Sequence, residues 1–299
     1  MNTERTPPPP FRGFPAAVRA RHRLLFGLAV VAVASLGIVL FADFLWRTDL
    51  YGLKWALLVV YAILFTHLSF GFCTALFGFG ALRFGAHPAT RLAEDLPAEG
   101  AISEGASTAI LVPIYNEDVT AVFGNLRATY RSLEEAGVLE HFDFFVLSDT
   151  RDPEVWLEEE AAWKELCREL SAFDRIHYRH RRDNARKKAG NISHFLEAWG
   201  AQYRYMIIFD ADSLMLGSTL ASLVRTMEAN PQVGILQTVP GLYRGETLYA
   251  RLQQFANRLY GRVYLAGLHY WQLSEGNYWG HNAIIRVQPF IEACELPRL

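Results

Sequence analysis

The sequence predicts an α/β domain with a mostly parallel sheet and helices on both faces, preceded by two transmembrane helices. Three observations predict it. Two long apolar runs occupy the first third of the chain. From residue 108 to 237, short apolar runs alternate with amphipathic ones, the pattern of a parallel sheet covered by helices. Several of the short runs end abruptly in carboxylates, most clearly Tyr205-Met206-Ile207-Ile208-Phe209-Asp210-Ala211-Asp212.

The bulk properties narrow the classes. A chain of 299 residues holds one sizeable α/β domain with accessories. Its formal net charge of −2 lacks the basic excess of a nucleic-acid-binding protein, so no nucleic-acid partner is expected. At 51% hydrophobic and 13% aromatic residues it is too apolar to be disordered. Cys73, Cys167 and Cys294 lie far apart and fit no zinc or redox spacing.

Element by element, residues 1–23 with Pro7-Pro8-Pro9-Pro10 read as a tail. Residues 24–82 read as a hairpin of two spans, Leu24–Ala42 and Trp55–Leu82, each reaching the roughly 20 residues a spanning helix needs. Trp46, Tyr51 and Trp55 flank the connection as interfacial aromatics do. The first run is long, ends in Asp43-Phe44-Leu45-Trp46 and is followed by a second span, which disfavours a cleaved signal peptide. Arg12, Arg19, Arg21 and Arg23 precede the first span and Arg83 and Arg91 follow the second, against Arg47 and Lys54 between them. The positive-inside rule therefore expects a multi-pass protein of the cytoplasmic membrane with everything after residue 83 in the cytoplasm.

Residues 83–105 read as a linker and 106–299 as the α/β domain. Its expected strands are Thr108–Ile114, Phe142–Leu147, Arg175–Tyr178, Tyr205–Phe209 and Val233–Gln237. The expected helices are Asp118–Ala136, capped near Asn116, then Pro153–Ala172, Ala189–Trp199 and Ser218–Asn230. Leu248–Leu273, rich in Tyr, Phe and Trp, reads as a further helix.

Four sites fall at strand ends, where open α/β sheets bind ligands. In Val112-Pro113-Ile114-Tyr115-Asn116-Glu117, Pro113 marks a strand exit. There Tyr115 and Glu117 could meet a base or ribose, or simply form a helix start. Asp149, ending Phe144-Phe145-Val146-Leu147-Ser148, could accept from a nucleobase N–H or cap a loop. The basic run Arg181-Arg182-Asp183-Asn184-Ala185-Arg186-Lys187-Lys188-Ala189-Gly190-Asn191 enters a helix N-terminus, an arrangement suited to a diphosphate at Lys188. Asp210 and Asp212 suit a cation shared with phosphates, although Asp-x-Asp also recurs in acidic turns. No Walker sequence is present, which argues against a P-loop ATPase.

Taken in order, Val112 to Glu117, Asp149, Lys188-Ala189-Gly190-Asn191 and Asp210-Ala211-Asp212 resemble the processive family 2 glycosyltransferases, such as the cellulose and hyaluronan synthases. Gln237-Thr238-Val239-Pro240 is similar to that family's Gln-Thr-Pro segment. Tyr178-Arg179-His180-Arg181-Arg182 and Gly276-Asn277-Tyr278-Trp279-Gly280-His281-Asn282 resemble its branch that builds osmoregulated periplasmic glucans.

The resemblance implies a GT-A-type domain at the inner membrane that inverts and transfers glucose from UDP-glucose to a growing glucan chain, with Mg²⁺ or Mn²⁺ as cofactor. It gives Tyr115, Glu117, Asp149, Lys188 and Asp210 to the donor, Asp212 to the metal, and Gln237, Thr238, Trp279 and His281 to an acceptor or sugar pocket. His281 reads equally as a core or loop histidine. The lipid bilayer is an implied partner, and the helix after Thr247 is implied to lie at its surface.

The family's acidic general base, in a motif like His-Asp-Phe-Val-Glu, does not follow Asn282, and its Gln-x-x-Arg-Trp motif is absent from the sequence. The expectation is therefore a base beyond Leu299, on a C-terminal polypeptide that completes the enzyme, and a chain inactive alone. The alternative is a non-catalytic, membrane-anchored nucleotide-sugar-binding subunit or remnant.

Overall fold

Apolar residues alternate in phase along the first strand, and that alternation builds the sheet. In β1 (Thr108–Ile114), Ile110, Val112 and Ile114 enter one core, while Ala109 and Leu111 enter another on the opposite face. The computed structural model describes residues 14–48, 52–84 and 100–294. The described residues divide into two compact units, those within Leu96–Pro240 and Tyr278–Leu299, and those within Gly13–Asp95 and Gly241–Asn277.

The first unit is a mixed, mostly parallel sheet. After β1 come α3 (Val119–Glu135), β2 (Phe142–Ser148), α4 (Pro153–Leu170), β3 (Ile176–His180) and α5 (Lys187–Trp199). Then follow β4 (Tyr205–Ile208), α6 (Gly217–Ala229), β5 (Ile235–Gln237), β6 (Ala283–Arg286) and α8 (Val287–Ala293). The strand order is β3-β2-β1-β4-β6-β5. β1 to β4 are parallel, and β6 runs antiparallel to both β4 and β5. Helices α3, α4 and α6 contribute to the core on one face, α5 and α8 to that on the other. The mixed, mostly parallel sheet with helices on both faces expected from the sequence is thus borne out.

Local chemistry sets the ends of these elements. Asp118, not Asn116, caps α3 by accepting from the Ala121 N–H at 2.9 Å. Asn116 lies before the cap in the left-handed region, with φ 53°. Asp152 caps α4 with Pro153 in its first turn, and Ser171 ends it with φ 52°. α5 begins at Lys187, earlier than the sequence pattern suggests, behind Arg186 and Lys187 at φ 63° and 48°. β6 was not anticipated. It fills the gap between β4 and β5 and carries Arg286, whose guanidinium sits 5.2 Å from the Tyr205 ring and donates to Met227 O at 2.9 Å.

The second unit joins α1 (Ala16–Trp46), α2 (Lys54–Phe84) and α7 (Leu248–Gln272). α1 and α2 are long and apolar enough to cross a membrane. α1 begins at Ala16, so the latter part of the expected tail is helical; residues 1–13 and most of the expected linker, 85–99, lie outside the described residues. α7 is neither exposed nor packed along its whole length. Its first half exposes Leu248, Leu252, Phe255 and Leu259. Its second half lies against α2: a Cβ on Gly267 would fall 1.8 Å from Thr74 O, and one on Gly78 would fall 1.9 Å from Val263 O. Trp271 stacks on Phe26 at 5.5 Å, and Arg19 and Arg23 pair with Glu275 just beyond the helix.

Candidate active site

The parallel strands β1 to β4 end at one sheet edge, and β6, running the other way, begins there. Asn282 N–H reaches Ile208 O at 2.6 Å, and β5 ends beside it with Gln237 opposite Ala283. All ten residues singled out from the sequence therefore follow strand ends, precede a strand start, or open a helix along this edge. Strand register, not proximity in sequence, assembles them.

At the β1 exit, Tyr115 is 47% exposed and Glu117 is exposed. Between them, Asn116 donates its N–H to Thr150 Oγ1 at 3.0 Å and accepts from Arg151 N–H at 3.3 Å. The β1 turn is thereby tied to the β2 turn.

Asp149 is buried, and Arg181 grips it with two parallel hydrogen bonds, Nε at 2.8 Å and Nη2 at 2.7 Å. Parallel pairing explains the meeting: Ser148 lies opposite His180, so the next residues of the two strands face each other. Arg181 was expected only as part of a basic run. It is the dominant partner of this carboxylate, in the fork geometry that makes arginine–carboxylate pairs strong. Beside it, Arg179 donates to the Asn191 side chain, and Asn191 Nδ2 donates to Leu147 O at 2.8 Å. Burial, reinforced by the Arg181 charge, lowers the Arg179 guanidinium from its usual value, and its Nε and Nη1 are buried without a partner.

The basic segment folds back on itself before α5. Asp183 accepts from Ala185 N–H at 2.9 Å. A Cβ on Gly190 would lie 2.1 Å from Ala185 O, so glycine here admits the chain's own backbone. α5 has no side-chain cap; Lys187 N–H donates to Asn184 O at 2.9 Å and Gly190 N–H to Arg186 O at 3.1 Å, and a helix N-terminus without a side-chain cap favours an anion.

Lys188 Nζ pairs with Asp210 Oδ1, and His281 Nδ1 lies 3.6 Å from Asp210 Oδ2. Asp212 is exposed. Two solvent-reached carboxylates fit a hard cation that completes its shell from phosphate and water. Among the described residues no three His, Cys, Asp or Glu gather into a metal cage.

Gln237 and Thr238 hold the chain opposite. Gln237 Nε2 donates to His281 O at 3.0 Å, and its Oε1 accepts from Trp279 N–H at 3.2 Å. Thr238 Oγ1 donates to Asn282 O at 2.5 Å. These two side chains shape the 279–282 segment, on which Trp279 is 42% exposed. Tyr278, unremarked as an individual, packs against the second core with its hydroxyl buried and unpartnered. Burial, then the Asp210 charge, raises that hydroxyl's pKa.

Comparison with known proteins follows this geometry. Residues 109–293 match the family described as glycosyl transferase family 2. The glucans biosynthesis glucosyltransferase H of Pseudomonas aeruginosa (strain LESB58) is 52% identical over 249 residues, 83% of this chain and 29% of that protein. The proteins of the same name from Cupriavidus pinatubonensis and Dickeya dadantii are 53% and 50% identical, over 83% and 85% of this chain. The chain thus spans about 29% of the length of the curated relatives it matches. A mannosyltransferase from Pyrobaculum calidifontis, solved with GDP-Man and Mn²⁺, is 18% identical with a TM-score of 0.43, covering 75% of this chain and 59% of its own, a likeness too remote to carry an argument.

Proposed function

The chain belongs to glycosyl transferase family 2, and from that premise we propose that its sheet edge holds UDP-glucose as the donor for glucan synthesis at the inner membrane. One observation carries the reading. Tyr115, Asp149 and the Asp210–Asp212 pair follow parallel strands at the same edge, and Lys188, in the first turn of α5, reaches Asp210 there.

Tyr115 offers its exposed ring to uracil, and Glu117 and Asp149 offer acceptors to the uridine. Lys188 and the uncapped N-terminus of α5 receive the diphosphate. Asp212, with Asp210 beside it, would hold Mg²⁺ or Mn²⁺; when bound, that ion stabilises the negative charge on the departing UDP. An acceptor hydroxyl attacks the anomeric carbon, the bond from that carbon to the diphosphate breaks, and configuration inverts. The proton of the attacking hydroxyl must pass to a general base. Trp279 and His281, on the segment pinned by Gln237 and Thr238, line the sugar side.

The transfer and the glucan acceptor are proposed for the whole protein, by likeness to relatives that bear the glucosyltransferase name. With α1 and α2 read as spans, the excess of arginines flanking the hairpin supports a cytoplasmic reading for the sheet unit. Calorimetric titration of the purified chain with UDP and Mg²⁺ tests the donor reading. Saturable binding that GDP does not match supports it, and no heat of binding refutes it.

A further inference from the structure

We infer that Glu159 of α4 is a positioning residue, a buried acceptor that locks the ends of β1 and β2 into the geometry a nucleoside needs. The inference rests on the donor reading above. Glu159 is 1% exposed, yet it lies on the core-facing stripe of α4 with Trp163, Leu166 and Cys167. A carboxylate there breaks the helix's amphipathic pattern, and such breaks mark places where function overrides local preference. Among the described residues it makes no ion pair. Its bonds are to hydroxyls: Ser148 Oγ donates at 2.6 Å, Thr150 Oγ1 at 2.5 Å and Tyr178 OH at 2.9 Å.

Two of those hydroxyls flank Asp149, and each passes the order on. Thr150 Oγ1, having given its only proton to Glu159, can only accept, and it accepts the Asn116 N–H at 3.0 Å. Ser148 Oγ, likewise committed, accepts the Thr150 N–H at 3.2 Å. The direction of each bond follows from one end having a single role, the carboxylate as acceptor or the backbone N–H as donor. From Glu159 the chain runs through Thr150 to Asn116, the residue between Tyr115 and Glu117. The β3 side is fastened too, by Tyr178, while Trp156 stacks on His180 at 5.1 Å and His180 Nε2 meets Thr150 O at 2.8 Å. Glu159 thus touches no expected ligand-binding residue but sets the backbone on both sides of the nucleoside site.

Glu159→Gln tests this with little change of shape. Its amide nitrogen can only donate, so it must face a hydroxyl that now has no acceptor, and one link breaks. The full chain is titrated with UDP, and separately with pyrophosphate and Mn²⁺, which probe the Lys188–Asp210–Asp212 end alone. The expected result is UDP affinity weakened roughly tenfold with pyrophosphate affinity unchanged. Unchanged UDP affinity in a folded variant overturns the inference, as does an equal loss for both probes. Thr150→Val keeps the carboxylate and removes Oγ1, and with it both the bond to Glu159 and the link to Asn116; it should weaken UDP roughly threefold, and no loss there overturns the inference even if Glu159→Gln fails to fold. Failure of the wild-type chain to bind UDP refutes the donor reading instead, so the two are told apart.

Discussion

Lys188 Nζ and Asp210 Oδ1 form an ion pair, so the ammonium proposed for the diphosphate is already paired with a carboxylate of the Asp-x-Asp motif. A cation and the lysine then compete for one oxygen, and a diphosphate draws the lysine away. Lys188→Met should therefore tighten Mn²⁺ binding without nucleotide, by roughly two- to fivefold for a pair this exposed. The same change should weaken UDP–Mn²⁺ roughly tenfold or more by removing a charge-assisted contact. Paramagnetic titration of Mn²⁺ reads the first effect and calorimetry the second. Parallel weakening of both would show that the pair does not compete with metal.

The Arg181–Asp149 pair is of another kind, with side chains only 13% and 6% exposed. Arg181→Met leaves a buried carboxylate without its partner and should cost about 3–5 kcal/mol of stability. Adding Asp149→Asn should recover much of that loss, because the stranded charge is gone. Urea denaturation of the single and double variants measures the difference, and a single variant as stable as wild type would sink the argument.

Alkaline stability follows from the tyrosines of the sheet unit. Burial raises the pKa values of Tyr178, Tyr203 and Tyr278 above the ordinary 10.0, so the native state keeps their protons longer than the unfolded chain does. Above pH 10 the unfolded state binds fewer protons, and native stability must fall as pH rises. Thermal midpoints measured from pH 8 upward should drop beyond pH 10, and the phenolate absorbance of these residues should appear with unfolding. Midpoints that stay flat to the highest pH reached would contradict it.

Thiol reactivity should divide cleanly. Cys167 is buried and burial pushes its thiol up to about 11, while Cys294 is exposed and Cys73 is buried. Only the thiolate reacts, so a maleimide at pH 7 should label Cys294 alone in the folded chain and all three in denaturant. Peptide mapping by mass spectrometry reads the sites.

Much of the sheet was legible because its strands are uninterrupted apolar runs with abrupt polar ends, as in Thr108–Ile114 and Tyr205–Ile208. β6 escaped notice because four residues, Ala283–Arg286, offer no period of their own, and their antiparallel place between β4 and β5 is set by neighbours far away in the chain. Tyr115, Glu117, Asp149, Lys188, Asp210 and Asp212 were visible as chemical types at strand or helix boundaries, whereas Trp279 and His281 precede the unanticipated β6. The partners of these residues were not visible. Asp149 and Arg181 are joined only through the β2–β3 register, and Glu159 is one of several acids in a charged helix, with its hydroxyl partners on other elements. The resemblance gives Gln237 and Thr238 to an acceptor or sugar pocket, and the bonds of their side chains to backbone were not legible.

That last engagement has a consequence for how the site can diverge. Gln237 and Thr238 grip the main chain of 279–282, through Trp279 N–H and the carbonyls of His281 and Asn282, and touch none of its side chains in doing so. A fastening that reads only peptide groups is blind to sequence. Trp279 and His281 can be exchanged, by drift or by an engineer's cassette, while the segment stays in place. If Trp279 and His281 face the sugar as proposed, sugar preference and folding are separable traits along this strip of the molecule.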